Sequence, residues 1–437
     1  MTLASRDIFT ALSQADFRWL WFGNLGSSFA MNMQQVARGW FVYELTSSAV
    51  DLGWVTMSFM IPQVLFSLWG GVLADRVSKK SILVAAQSLN AIATLIMALI
   101  ILIGNVDFWD FIMFGLFNGI VLALSFPARN AFVPDLVDER LIFTAMALNT
   151  TSMNFARILA PAFSGFLIAW IAAGDTSSTF GVGIVYVVIG ALYLLSAVTM
   201  LFVSKSGRAG SRETRKHPLI EILDGLKYVR THPTVYALII LSIVPFMFGM
   251  PLNTLLPAFN EDILLGGPDD LGLLLSAMGI GAILGSLMLA ASGDLKHKGT
   301  WLVVSCFGWG ISTVLFGMAP NLWTAVGVLG LVGWLSSWNM SLNRGLLQVQ
   351  VARHMRGRIM SIDMMSHGLM PLGVLPVSMI ADAYDISTSL IASGAVFVAL
   401  IGLIVLVSAP VRRLDSMMAD VHRANQHREA LSAAQRP

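Results

Sequence analysis

A single cysteine, Cys306, excludes a disulfide framework within the chain and any cysteine-based metal site. Charge is also scarce. Only 12% of the 437 residues are Asp, Glu, Lys or Arg, about half the share of a soluble domain. No water-facing surface can be assembled from so few charges, and the solvent must be lipid. Polar breaks are short, and apolar runs of about 20 residues, each long enough to cross a hydrocarbon core as a helix, recur almost end to end. That continuity excludes a closed β-barrel, and in lipid only helices then pair every backbone polar group internally. A nucleophile elbow, a phosphate-binding loop and a metal-ligand cluster are all missing, so the reading is of no enzyme, no cofactor and no nucleic-acid partner. Gly279-Ile280-Gly281-Ala282-Ile283-Leu284-Gly285 follows no strand and reads as small residues for helix packing. The polar N-terminus has no small-residue cleavage site, so the first span serves as the targeting signal.

The apolar runs predict an all-α membrane protein of twelve transmembrane helices. Six lie near 18–42, 52–74, 81–103, 111–131, 143–172 and 181–203; six more lie near 234–258, 271–293, 300–318, 323–347, 359–381 and 387–408. Residues 1–17 form an N-terminal segment, 18–203 and 234–408 two six-helix halves, 204–233 a linker and 409–437 a tail. Every second loop is basic, with Arg76, Lys79 and Lys80, then Arg140, Lys205, Lys296, Lys298, Arg353, Arg356 and Arg358. The intervening loops hold no Lys or Arg but carry Glu44, Asp51, Asp107, Asp110, Asp175, Glu261, Asp262, Asp269, Asp270, Asp382 and Asp385. By the positive-inside rule both termini are cytoplasmic, in a multi-pass protein of the cell inner membrane. In the linker, Leu219, Ile222, Leu223, Leu226 and Val229 follow helical spacing, which predicts an amphipathic helix on the membrane surface.

The halves match at a displacement of about 217 residues, a parallel repeat of the kind that places a substrate site between halves. Asp75 before Lys79 and Lys80 aligns with Asp294 before Lys298. Arg129 aligns with Asn343 and Arg344, and the loop of Asp138, Glu139 and Arg140 with that of Arg356 and Arg358.

Gly70-Gly71-Val72-Leu73-Ala74-Asp75-Arg76-Val77-Ser78-Lys79-Lys80 resembles the signature loop of the major facilitator superfamily. Ser78 stands where the family's pattern has Gly, and Lys79 where it has Arg. Physically, the glycines let helices approach closely, and Asp75 at a helix end can pair with a helix N-terminus or an arginine of the other half in one conformation only. That makes Gly71, Asp75, Arg76, Lys79, Lys80, Arg129, Asp294 and Arg358 candidates for a conformational latch; the plainer alternative is a charged loop obeying the positive-inside rule. Within the superfamily the chain is similar to the drug and siderophore exporters, a group that includes the enterobactin exporter and macrolide efflux proteins. The resemblance rests on Phe17-Arg18-Trp19-Leu20-Trp21, Met33-Gln34-Gln35-Val36-Ala37, Tyr43-Glu44-Leu45-Thr46, Pro127-Ala128-Arg129 and Arg356-Gly357-Arg358-Ile359-Met360-Ser361. It covers both halves and implies the major facilitator fold and export driven by the proton gradient.

Polar residues inside a span are costly against lipid and mark a cavity or a bond between helices. The first span carries Asn24, Ser28, Asn32, Gln35 and Arg38 on one face, the fifth Thr150, Asn154, Arg157, Pro161 and Ser164, and the fourth Asn118, Ser125 and Arg129. Arg157 must face a cavity or an acid; Arg129 is near enough to the span's end to snorkel instead. Asn253 sits among Pro245, Pro251 and Pro257 on the seventh span, where the prolines break hydrogen bonds and permit bending. Trp334 and Trp338 are candidates for an apolar cavity wall, whereas Trp40 and Trp109 read as interface residues. Two buried arginines favour an anionic or acceptor-rich cargo, and the 24 methionines a wall that repacks around varied ligands.

For proton coupling the candidates are Asp363 and His367, four residues apart on the eleventh span, and Glu44 beside the outer loops; structural pairing and solvation are the plainer readings of each. The expected partners are a small molecule, protons and lipid, with the monomer as the working unit. The function expected is secondary active export of a small amphipathic or anionic, siderophore-like molecule by alternating access. Broad multidrug or macrolide efflux, import, and a non-transporting sensor or scaffold are the alternatives.

Overall fold

The computed structural model describes residues 9–172, 179–207, 218–292, 295–352, 355, 358–360, 362–363 and 369–416, and every regular element among them is helical. The first six long helices are α1 (Ala15–Thr46), α2 (Ala49–Arg76), α3 (Lys79–Ile103), α4 (Phe108–Leu136), α5 (Ile142–Ala172) and α6 (Thr179–Leu201). The linker forms α7 (Pro218–Thr231). Then come α8 (Pro233–Phe248), α9 (Pro251–Asp262), α10 (Pro268–Ala291), α11 (Lys298–Gly317), α12 (Leu322–Gln350), α13 (Met370–Ala383) and α14 (Ile386–Val407).

Local chemistry sets the helix ends. Ser48 caps α2 by accepting from the Asp51 amide, and Asp107 with Asp110 makes a reciprocal capping box at the start of α4. Ser78, in place of the resemblance's glycine, caps α3 through the Ser81 amide at a φ of −59°, so this turn needs no glycine. Gly104 closes α3 at a φ of 74°. Asp385 caps α14, and hydrogen bonds from the Thr388 hydroxyl and amide hold its carboxyl below the usual aspartate range.

Ten helical stretches among the described residues are long and apolar enough to cross a membrane. The difference from the twelve expected falls on two elements. One is α1, whose 32 residues are ample in length but carry a dense polar stripe. The other is α13, with 14 residues, because much of the expected 359–381 span lies outside the described residues. The proline-rich seventh stretch is broken as its sequence demands. α8 stops at Phe248, the amides of Gly249 and Met250 both reach back to the Pro245 carbonyl, and α9 restarts at Pro251.

Close helix approach uses small residues in both sets. Gly70 and Gly119 of α2 and α4 lie against the Ala123 and Phe59 carbonyls, while Gly281 and Gly333 of α10 and α12 lie against those of Gly330 and Met278. Between α1–α6 and α8–α14, α5 runs along α10 and α2 along α13. Trp109 is 67% exposed, in keeping with an interface position, but Trp40 is 2% exposed and packs in the core instead. On α7, Leu223 and Leu226 are exposed, Val229 is buried, and Gly225 meets Ile362.

Candidate functional site

Between the two sets lies a cavity of about 940 Å³. Its wall takes Asn32, Gln35 and Arg38 from α1, Asn118 from α4, Thr150, Asn154, Arg157 and Pro161 from α5, and Asn253 from α9. Residues that sequence reasoning had not singled out stand beside them: Gln34, Gln63, Asn90, Tyr193, Thr254, Arg344 and the methionines 250, 278, 340 and 370. A signal existed for some of these. Asn90 is an amide in the apolar run of α3, three residues after Gln87, and Arg344 is a residue that the expected repeat aligns with Arg129.

Four proposed wall residues stand elsewhere. Asn24 is 2% exposed and its amide donates to Asn149 Oδ1 at 3.0 Å. Ser28 is 3% exposed, its carbonyl accepting from Asn32 Nδ2 at 2.8 Å. Asn24 thus ties α1 to α5, and both residues are buried away from the wall. Trp338 turns its ring nitrogen to the Gly285 carbonyl at 2.7 Å, and Trp334 packs edge-on against it while closing over Gly285. The glycine makes a slot that fits an indole, so the cavity face of α12 passes instead to Ser337, Met340 and Ser341. Ser164 likewise ties α5 to the Met33 carbonyl at 3.0 Å.

Charge is distributed unevenly around the cavity. Arg38, Arg157 and Arg344 line it, and no Asp or Glu appears among the described lining residues. Arg38 lies over the Phe59 ring at 5.4 Å, and Tyr193 donates to Gln34 at 3.4 Å. Arg129 is off the wall, and its Nε has no hydrogen-bond partner among the described residues. Asp363 sits just behind the wall, 1% exposed, accepting from Ser242 Oγ at 2.7 Å and facing Arg344 Nε at 3.9 Å. Its expected companion His367 lies outside the described residues.

At the basic-loop end, Lys79 and Lys80 make their contacts within their own set. Lys79 pairs with Asp135 at 2.5 Å, and Lys80 donates to the Leu201 and Val203 carbonyls at the end of α6. Neither bridges to α8–α14. Arg358 pairs with Asp224 of α7 at 3.1 Å, tying the linker helix to the second set. Arg76 is exposed, and a side chain at Gly71 would meet open space. Asp75 lies in the last turn of α2, its side chain outside the described ones, and Asp294 lies outside the described residues.

The sets are joined at the acidic-loop end instead. Tyr43 donates to Asp262 at 2.6 Å. Asp382, at the end of α13, accepts from Ser48 Oγ and from the amides of Ala49 and Val50 at 2.9, 2.7 and 3.2 Å. One set's carboxylate thus covers the N-terminus of the other set's α2, where free amides and the helix dipole favour an anion. Glu44 is half-buried within electrostatic reach of Glu261 at this end. Among the described residues no cluster of His, Cys, Asp and Glu is placed to hold a metal.

The profile of the transmembrane secretion effectors, a family of the major facilitator type, matches residues 7–436. The chain belongs to this family. It is a multi-pass membrane transporter and not an enzyme. It is 28% identical to the staphyloferrin A transporter of Staphylococcus aureus, over 80% of this chain and 86% of that one. It is 23% identical to macrolide efflux protein A of Streptococcus pyogenes, over 91% and 97%. With the enterobactin exporter EntS of Shigella boydii it shares 28% identity over 66% and 67%. Among solved structures, a bacterial homologue of the human lysosomal transporter Spinster superposes with a TM-score of 0.70 at 14% identity, covering 93% of this chain and 97% of that one. The nucleoside transporter NupG gives 0.70 at 15%, covering 89% and 98%. These two carry the fold alone.

Proposed function

We propose that the chain is a proton-coupled exporter of a small anionic molecule, of the siderophore kind, that works by alternating access. The observation that carries this reading is the cavity's charge: three arginines and, among the described lining residues, no carboxylate. Arg344 faces Asp363 behind the wall, but the wall sets no described carboxylate beside Arg38 or Arg157, so the site favours a ligand that brings negative charge. The staphyloferrin and enterobactin relatives support the siderophore side of the reading.

In this proposal α1–α6 and α8–α14 are the two six-helix halves of a twelve-span protein, with α1 and the stretch ending in α13 as the spans that composition leaves out. The basic loops and both termini face the cytoplasm. Residues 204–233 are the linker between halves, and the monomer is the working unit. Asp382 and Tyr43 hold the outer end shut while the cavity serves the cytoplasm. Asp75, Arg76, Lys79 and Lys80, with Arg129, Asp294 and Arg358, act at the inner end in the opposite state. Asp363, next to the cavity, is the principal coupling carboxylate, with His367 and Glu44 as further candidates.

A second reading, broad drug efflux, draws on the methionine-rich wall and the macrolide relative. Inverted vesicles with an acidic interior separate the two. Gradient-dependent uptake of an anionic catecholate chelator, with no uptake of a lipophilic cationic dye, is the expected result. Uptake of the dye alone would overturn the anionic reading.

A further inference from the structure

The cavity has two chemically different walls, and the division follows the chain. Alongside Met31, Phe59 and Met60, the α1–α6 wall presents Arg38 and Arg157 with the amides of Asn32, Gln35, Asn90 and Asn154. These are forked or paired donors at several heights along three helices, suited to a head group with multiple acceptors. The α8–α14 wall presents Met250, Met278, Met340 and Met370 with Leu275 and Ile283, relieved by Asn253 and small hydroxyls. Its one charge is Arg344, near the basic-loop end of α12, and Asp363 stands 3.9 Å behind it.

We infer that the cargo is an amphipathic anion held in one orientation, its acceptor-rich charged face on α1–α6 and its apolar or aromatic face on the methionine wall of α8–α14. The inference rests on the anionic reading above and narrows it. Because each wall belongs to a different moving body, only a ligand with both faces bridges them. A purely polar anion satisfies the first wall and leaves the second wet, and a neutral aromatic does the reverse. The bridging ligand therefore gains most from drawing the walls together, which makes closure itself the step that selects cargo. Thioether side chains conform to differing apolar outlines, so the wall reads the presence of an apolar face more than its shape.

The test is equilibrium binding to the full-length protein in lipid nanodiscs with three probes. These are 3-hydroxy-2-naphthoate, its neutral methyl ester, and citrate, an anion with no apolar face. The parent is expected to bind the naphthoate about tenfold or more tighter than either of the others, a difference of one decade in Kd. Arg157→Gln should bring the naphthoate toward the ester while leaving the ester unchanged, and Arg157→Lys should restore part of the gap. Met278→Ala with Met340→Ala should bring the naphthoate toward citrate and leave citrate unchanged. These residues line the cavity and Met278 also touches the core, so the unfolding midpoint of each variant is measured beside its binding. Citrate binding as tightly as the naphthoate, or variants that weaken all three probes alike, would overturn the two-wall inference while the anionic reading stands. Binding of the neutral ester in preference to both anions would overturn the two together.

Discussion

Removing the carboxylate of Asp382 should open the acidic-loop end. Asp382 accepts from Ser48 Oγ and from the Ala49 and Val50 amides at 2.9, 2.7 and 3.2 Å, across the boundary between the two sets. A hydrogen bond to a charged group contributes about 1.5–3 kcal/mol, and an anion at an exposed helix N-terminus about 0.3–1 kcal/mol. Asp382 is solvent-exposed, so water competes and about 2 kcal/mol in total is a fair magnitude for Asp382→Ala. That shifts a two-state equilibrium by about 30-fold toward the state in which the acidic end is apart. The helix keeps its own cap, because Ser48 Oγ still accepts from the Asp51 amide at 3.2 Å, so the change is read in the gap and not in α2 itself. Asp382→Asn, which keeps an acceptor and loses the charge, should fall between. The assay is a distance distribution between spin labels on Asn105→Cys and Tyr384→Cys, with the buried Cys306 changed to Ser. A distribution identical in parent and Asp382→Ala would refute the reasoning.

Three further outcomes are expected. Arg157→Gln, inserted normally, should lower export of an anionic cargo by about tenfold or more, since the cavity loses one of its three cations; a parental rate in vesicles would speak against the cavity assignment. Asp363→Asn should keep substrate exchange across a membrane with no gradient but lose acceleration by a pH gradient, and retained acceleration would move coupling to another group. Asp385→Ala should destabilise the start of α14 by about 1 kcal/mol in thermal unfolding. Its carboxyl is held below the ordinary value, so the cap is fully present above that ordinary value, near 4, and is lost as pH falls through the lower folded value; the parent and variant should converge in acid.

Helices, loop charge and the break at Pro245 to Pro251 were legible because each follows from composition or backbone chemistry in a short window. The cavity was legible in part. A polar stripe says that a face avoids lipid, but both a water-filled cavity and a neighbouring helix satisfy that need. Along α1 the stripe does both. Asn24 bonds α5 and Ser28 is buried, and the same face becomes cavity wall from Asn32 to Arg38. Trp334 and Trp338 misled because a wheel gives direction, while the slot left by Gly285 on α10 decides what the indoles fill. The Asp382 cap was not legible, since it joins residues more than 300 apart in sequence through a carboxylate in an acidic loop that looks merely solvated.

The proposed repeat predicts more than a likeness of halves. If α2 corresponds to α10 and α5 to the span that ends in α13, the axis that exchanges them also exchanges the contact of α5 with α10 and that of α2 with α13. Both contacts are present, and both are close at the acidic-loop end. Gly272 of α10 lies against the Pro161 carbonyl, where an added Cβ would come within 2.6 Å, and Gly53 of α2 faces Ser378 Oγ, where it would come within 3.1 Å. Two symmetric lines of sliding contact are what rigid-body rocking requires. Gly272→Leu should therefore pry the acidic end apart at a cost to the closed state of about 1–3 kcal/mol, the usual range for overpacking. It acts at one interface, and Asp382→Ala acts at the other. When the halves move as two bodies, both variants bias one equilibrium, and their free energies add in the double variant, read on the same pair of labels. Should Gly272→Leu leave the Asn105–Tyr384 distances untouched while widening a label pair across α5 and α10, the two interfaces open independently and rigid rocking is the wrong description.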